Sequence, residues 1–135
     1  MLVSAFAFGG IPQTALKRVF HTSEIFVSHD LLAEYRAVPQ ELLAAGKVTA
    51  DQFRALLVGT AAVVAHAQLV VPRRRLTLCR DAADNMLLEC CLAADAALLL
   101  TGDRDLLDID AEPLRVAGLS QLRILSPRAY LRFGG

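Results

Sequence analysis

Three stretches of the chain carry carboxylates at spacings that could do chemistry. Thr101-Gly102-Asp103-Arg104-Asp105 places two carboxylates one residue apart, directly after the apolar run 97–100. Mg²⁺ or Mn²⁺ takes oxygen ligands from a few carboxylates and keeps other positions for water and phosphate, so such a pair is half of a metal site. The same residues equally suit a solvated loop in which Asp103 caps a helix near Leu106. Cys79-Arg80-Asp81-Ala82-Ala83-Asp84-Asn85 opens a second helix. Asp81 suits its N-cap and Asp84 its first turn, where the helix dipole favours negative charge. Two acids and Asn85 are more than a cap needs, yet capping alone accounts for either acid. Glu34 lies in a helix whose apolar side is Leu31, Leu32 and Tyr35. By itself it reads as a surface glutamate paired with a nearby arginine. Glu24, Glu41, Asp51, Glu89, Asp95, Asp108, Asp110 and Glu112 are assigned to solvated faces and caps.

Other chemistries find less support. His21, His29 and His66 are scattered and form no Ser–His or Cys–His arrangement. Cys79, Cys90 and Cys91 lack metal-type spacing, and adjacent cysteines seldom bridge each other. They read as small core residues of a reduced, cytoplasmic protein. Arg73, Arg74, Arg75 and Arg80 form the dense basic stretch, and Arg104 sits between two candidate acids. Such a run is usually a solvated linker, and it is also the available counter-charge for a phosphate backbone. No aromatic pattern suggests base stacking.

These side chains must be held by one domain of 135 residues. Its hydrophobic fraction is 55%, enough for a real core, and 14 basic residues balance 14 acidic ones. Zero net charge gives no sign of a generic polyanion binder, leaves room for a local basic groove, and favours self-association or a partner, a homodimer included. The longest apolar run, 55–71, falls short of a membrane span and is interrupted by His66 and Gln68, so a buried helix entering a buried strand is expected and no membrane.

The order of elements follows from punctuation and periodicity. Residues 1–8 form a short apolar helix or the end of a strand, broken at Gly9-Gly10. Pro12 starts a helix with Ala15, Leu16, Val19 and Phe20 on one face, and 24–28 is a strand. Ser28 caps a helix that Pro39 ends, with a further turn before Gly46. Thr49 caps a long helix, 68–72 is a buried strand, and 73–80 is a linker with a short strand at 76–78. Asp81 opens a helix to about Asp95, 97–101 is a strand, and 123–127 is the last strand before a closing helical turn. Short apolar strands alternating with helices give an α/β fold, with a parallel sheet between helical layers. In such sheets, sites lie at the carboxyl ends of the strands.

Four segments together are distinctive: S-H-D-L-L-A-E-Y-R-A-V (28–38), C-R-D-A-A-D-N-M-L-L-E-C (79–90), L-L-L-T-G-D-R-D-L-L (98–107) and I-L-S-P-R-A-Y-L (124–131). In order and spacing the chain resembles the PIN-domain family, and within it the toxins of bacterial toxin–antitoxin systems. The resemblance implies a three-layer α/β/α domain over 1–135 and a Mg²⁺- or Mn²⁺-dependent ribonuclease with an antitoxin partner. It implies that Glu34, Asp84 and Asp103 are metal ligands. Asp105 is then a further catalytic acid and Asp81 a weaker candidate. RNA as substrate comes from the resemblance alone.

One part of the family pattern is missing. Its members usually begin with a central strand ending in Asp-Thr-Asn, whose Asp is a ligand. Here the first residues look like the helix that follows it, as though the start were assigned late or shortened. The sheet is therefore expected to lack its first strand, and the chain to be marginally stable and weak or inactive as a nuclease. Two rivals remain. One is a PIN-like binding module that engages an antitoxin or nucleic acid without cutting. The other is a phosphotransfer enzyme in which an Asp attacks phosphorus, leaving an acid-labile acyl phosphate.

Overall fold

Strands too short to be stable alone are held here by pairing and by burial on both faces. The computed structural model describes residues 2–4 and 13–133. In chain order the elements are β1 (Leu2–Ser4), α1 (Gln13–Thr22), β2 (Ile25–Val27), α2 (His29–Ala44), α3 (Ala50–His66), β3 (Ala67–Leu69), α4 (Ala82–Ala94), β4 (Leu98–Leu100), α5 (Arg104–Leu107), α6 (Ala111–Val116), β5 (Arg123–Leu125) and α7 (Pro127–Phe133). The sheet runs in the order β3-β2-β1-β4-β5, and every pairing is parallel. This is the α/β architecture expected from the alternation of strands and helices.

Successive residues of a strand face opposite sides of the sheet. Phe26 and Leu99 belong to one apolar cluster, with Leu31, Tyr35, Leu87, Leu88 and Leu106. Ile25 and Leu100 belong to the other, with Ala15, Val19 and Tyr130. The sheet thus has a core on each side, which is why its strands read as apolar runs without alternation.

Capping follows the sequence closely. Leu31 N donates to Ser28 Oγ at 3.2 Å, opening α2. Thr49 and Gln52 form a reciprocal capping box at α3, with bonds of 3.1 and 2.9 Å. α4 ends where Asp95 enters the left-handed region at φ 51°, and the α6 turn closes on Gly118 at φ 92°. There a Cβ would stand 3.3 Å from Leu92 Cδ1.

Four local expectations are corrected. α2 does not end before Pro39 but runs through it to Ala44. Proline forfeits the bond its nitrogen would make to Tyr35 O, and the burial of both Tyr35 and Pro39 offsets that loss. β3 is not a buried strand: it is the sheet's edge, with Leu69 50% exposed and Val71 beyond it 69% exposed. α3 is likewise not buried, and composition alone could not reveal which apolar run faces outward. The linker 73–80 contains no strand.

The expected gap in the sheet is also filled. β1 pairs with β4 at Leu2↔Leu98, Val3↔Leu99 and Ser4↔Leu100, and with β2 at Leu2↔Ile25. Unpaired N–H and C=O groups on the inner edges of β2 and β4 would be costly, and these three residues satisfy them. β1 ends on Ser4, so no carboxylate stands at its end, and the first acid in the sequence is Glu24. The Gly9-Gly10 break, the Pro12 start and the helical reading of 5–8 lie outside the described residues.

Candidate metal centre

Two polypeptide turns bring the acids together. At the end of β4, Thr101 is wholly buried and its Oγ1 accepts from Asp103 N at 3.0 Å. Asp103 Oδ1 in turn accepts from Asp105 N at 2.9 Å, capping α5. Leu106, also fully buried, pins that short helix to the core. The second turn opens α4. Asp81 Oδ1 accepts from Ala83 N at 2.9 Å, and Asn85 clamps the backbone of Cys79 from both sides. Its Oδ1 accepts from Cys79 N at 2.8 Å, and its Nδ2 donates to Cys79 O at 3.0 Å. Burial of Leu87, Leu88, Cys90 and Cys91 fixes the rotation of α4 and turns Asp84 inward, where it is only 5% exposed.

Asp84, Asp103 and Asp105 offer carboxylate oxygens that all lie within 4.8 Å of one another. Asp84 Oδ2 is buried without a hydrogen-bond partner. Its carboxyl is pushed up from the ordinary 3.8 to about 7, first by burial, then by the negative charges of Asp103 and Asp81. A proton on Asp84 would let it bond to Asp103, a further cause of the rise. With both ionised, the pair has only acceptors and Oδ2 lacks a donor. The same acids reach Cys79, whose thiol is raised by burial and then by the charges of Asp84, Asp103, Asp105 and Asp81. It is therefore no ready nucleophile.

An orphaned buried oxygen beside two further carboxylates is the donor set of a hard divalent cation. A cation there would remove the repulsion that raises Asp84 and would supply the missing partner for Oδ2. The residues present fit such an ion.

The other expected site residues are placed as follows. Glu34 is half-buried on α2, a helix packed against α4, and is not one of the three acids that converge. Asp81 stays on the exposed rim as a cap. Arg80 Nη2 approaches Asp105 Oδ2 at 3.7 Å, with both side chains exposed, so it stands at the mouth of the acid cluster. Arg104 pairs with Asp108 at 3.8 Å, and Arg73 is exposed. Arg74 Nη1 donates to Ala117 O at 2.9 Å. Arg75 reaches Asp30 at 2.7 Å and Glu89 at 3.3 Å.

Glu89 is a correction. Expected on a solvated face, it is 4% exposed, and its Oε2 accepts from Leu76 N at 2.7 Å. It anchors the linker 73–80 to α4 and so helps to hold Arg80 beside the acids. The signal was weak: a single Glu between Leu88 and Cys90 in an otherwise apolar helix.

The family model of the PIN domain matches residues 13–105. The chain belongs to the PIN-domain family. The matched span contains Glu34, Asp84, Asp103 and Asp105, and it covers three of the strands, from β2 through β3 to the loop after β4. PIN domains have a nuclease-type fold and as a rule bind divalent metals, which accords with the acidic cluster. No curated protein and no solved structure matches the chain.

Proposed function

We propose that this PIN domain is a metal-dependent ribonuclease that hydrolyses RNA phosphodiester bonds, acting as the toxin of a toxin–antitoxin pair. The observation that carries the nuclease reading is the convergence of Asp84, Asp103 and Asp105, with one oxygen of Asp84 buried and unpartnered. Asp84, Asp103 and Asp105 would hold Mg²⁺ or Mn²⁺, with Glu34 as a further ligand implied by the family pattern.

Three carboxylates alone repel a phosphodiester. The bound ion reverses the local charge, lowers the pKa of a water and stabilises the developing oxyanion. The chain's own residues do the positioning. Thr101 fixes the backbone that presents Asp103, and Asn85 fixes the turn that carries Arg80. Asp105 and Arg80 form the exposed wall on which a phosphate backbone would rest, and Arg104 adds charge next to it. Three free cysteines, two of them buried, suit a reducing, cytoplasmic setting. Among the described residues no helix is long and apolar enough to cross a membrane.

A second reading is favoured by one observation: β1 ends on Ser4, where the family pattern has an acid. In that reading the chain is a catalytically impaired PIN module that binds an antitoxin or nucleic acid. A mixed RNA pool incubated with the chain separates the two. The ribonuclease cuts with Mg²⁺ or Mn²⁺, stops with EDTA, and loses about 100-fold or more in rate on Asp103→Asn. RNA retained without metal-dependent cleavage would instead support the binding module.

A further inference from the structure

Arg73, Arg74, Arg75 and Arg80 lie in one short segment, and no Asp or Glu occurs from Gln52 to Arg80. A basic run of this kind is usually a solvated linker. Here it is laid along α4 and fixed to it at successive levels. Arg73 and Arg74 line a cavity of about 260 Å³ with Val71, Glu89, Leu92 and Ala93, at the last turn of the helix. Leu76 N donates to Glu89 Oε2 at 2.7 Å, about a turn earlier. Asn85 clamps Cys79 from both sides, a further turn back. Arg80 Nη2 then stands 3.7 Å from Asp105 Oδ2, at the mouth of the acid cluster. The segment thus runs antiparallel to α4, and its two ends are separated by roughly 10 Å along the helix axis, at about 1.5 Å per residue from Asn85 to Leu92.

The four arginines differ in what opposes their charge. Arg75 lies between two carboxylates, Asp30 at 2.7 Å and Glu89 at 3.3 Å. Arg80 faces Asp105. Arg74 Nη1 donates to Ala117 O at 2.9 Å, a neutral acceptor that holds the side chain without cancelling its charge. Arg73 is exposed and makes no hydrogen bond or ion pair with the described residues. Glu89 is the one acid on their cavity, and its two oxygens are already taken by Leu76 N and Arg75.

We propose that Arg73 and Arg74 form a second phosphate subsite, which holds the backbone of an RNA strand a few nucleotides away from the bond at the metal centre. The identity of the strand rests on the ribonuclease reading. A phosphodiester is repeated at every nucleotide, so a strand with one phosphate beside Arg80 must carry its neighbours onward. The segment from Arg80 back to Arg73 offers them a fixed course that ends on two guanidinium groups free of carboxylate partners. Guanidinium forks match phosphate oxygens in pairs. No Phe, Tyr or Trp occurs from Val71 to Arg80, so nothing there stacks on bases. The subsite therefore adds affinity and length dependence without sequence preference. An acidic protein segment would match the charge, but the row leads to the acid cluster, where a phosphodiester has a reason to lie.

Fluorescence anisotropy tests this with the full chain and a labelled, mixed-sequence RNA of about 12 nucleotides, beside one of about 3. EDTA is present, so binding is read apart from the metal and from cleavage. The longer RNA should bind the wild type at low salt much more tightly than the shorter. Arg73→Gln, at an exposed position, should weaken the longer RNA several-fold and flatten the log–log salt dependence by roughly 0.7. Arg73→Lys should restore the salt dependence, and Mn²⁺ binding should be that of the wild type in both. Arg73-dependent binding without metal-dependent cleavage would support the subsite while failing the ribonuclease reading. An Arg73→Gln chain with the affinity and salt dependence of the wild type overturns the proposal. So does a wild type that ignores RNA and binds a polyglutamate peptide instead.

Discussion

Asp84 and Asp103 meet from opposite kinds of position: Asp84 is buried in the first turn of α4, Asp103 caps the exposed start of α5, and their carboxylate oxygens lie within 4.8 Å of each other. Without a cation, that proximity is a cost that depends on pH. Asp84 takes a proton below about 7 in the folded chain, against the ordinary 3.8. The folded state therefore binds the extra proton, and its stabilising contribution is full below about 4 and lost as pH rises to about 7. At about 1.4 kcal/mol per pH unit between 3.8 and about 7, the loss is at most about 4 kcal/mol.

Asp84→Asn cannot ionise and escapes that loss. In EDTA it should melt about 5–10 °C above the wild type at pH 8, and close to it at pH 4.5. Thermal melts at the two pH values check this. An equal difference at both would mean that ionisation of Asp84 is not the source.

Asn85 sits next to Asp84 but acts on the backbone of Cys79. Asn85→Ala leaves both backbone groups of Cys79 without their partner, at about 1–3 kcal/mol. The same change frees the turn carrying Arg80, so Mn²⁺ and RNA should both bind more weakly. Chemical denaturation read together with a Mn²⁺ titration checks both effects.

The legible and illegible parts of this fold differ in kind. Caps at Ser28, Thr49, Asp81 and Asp103 were readable because a short polar side chain before an apolar period has one common use. Asp84 and Asp103 were readable as a pair only through several segments taken together, because each alone is also an ordinary cap. Sheet order was not readable, since nothing local in β3 marks it as an edge. For the same reason the run 55–71 was read as buried although it faces outward. Glu89 escaped because its partners, Leu76 N and Arg75, lie in a loop whose path is set by tertiary packing. The filled centre of the sheet escaped because three residues, Leu2–Ser4, are too short a run to tell a strand from the first turn of a helix.

Glu89→Ala should be the most damaging of the single changes outside the acid cluster. It orphans Leu76 N and removes the buried partner of Arg75, for an expected loss of about 2–4 kcal/mol. Glu89→Gln keeps an acceptor for Leu76 N and should recover part of that. Urea unfolding of the two variants beside the wild type provides the comparison.

Arg80 and Asp105 are both exposed, so their pairing adds little to stability. Arg80→Ala should therefore leave the melting temperature within about 2 °C. Its effect should appear in RNA turnover, as a KM raised several-fold with kcat nearly unchanged. A fall in kcat alone would place Arg80 in the chemical step instead.

Direct titration of Mn²⁺ into the metal-free chain at pH 7.5, by calorimetry, bears most closely on the three converging carboxylates. The wild type should bind with release of protons, because Asp84 is partly protonated near pH 7 until the ion displaces that proton. Asp84→Asn and Asp103→Asn should each lose most of the binding while remaining folded. A wild type that takes up no Mn²⁺, or variants that bind it as the wild type does, would contradict the assignment of Asp84, Asp103 and Asp105 as a metal centre.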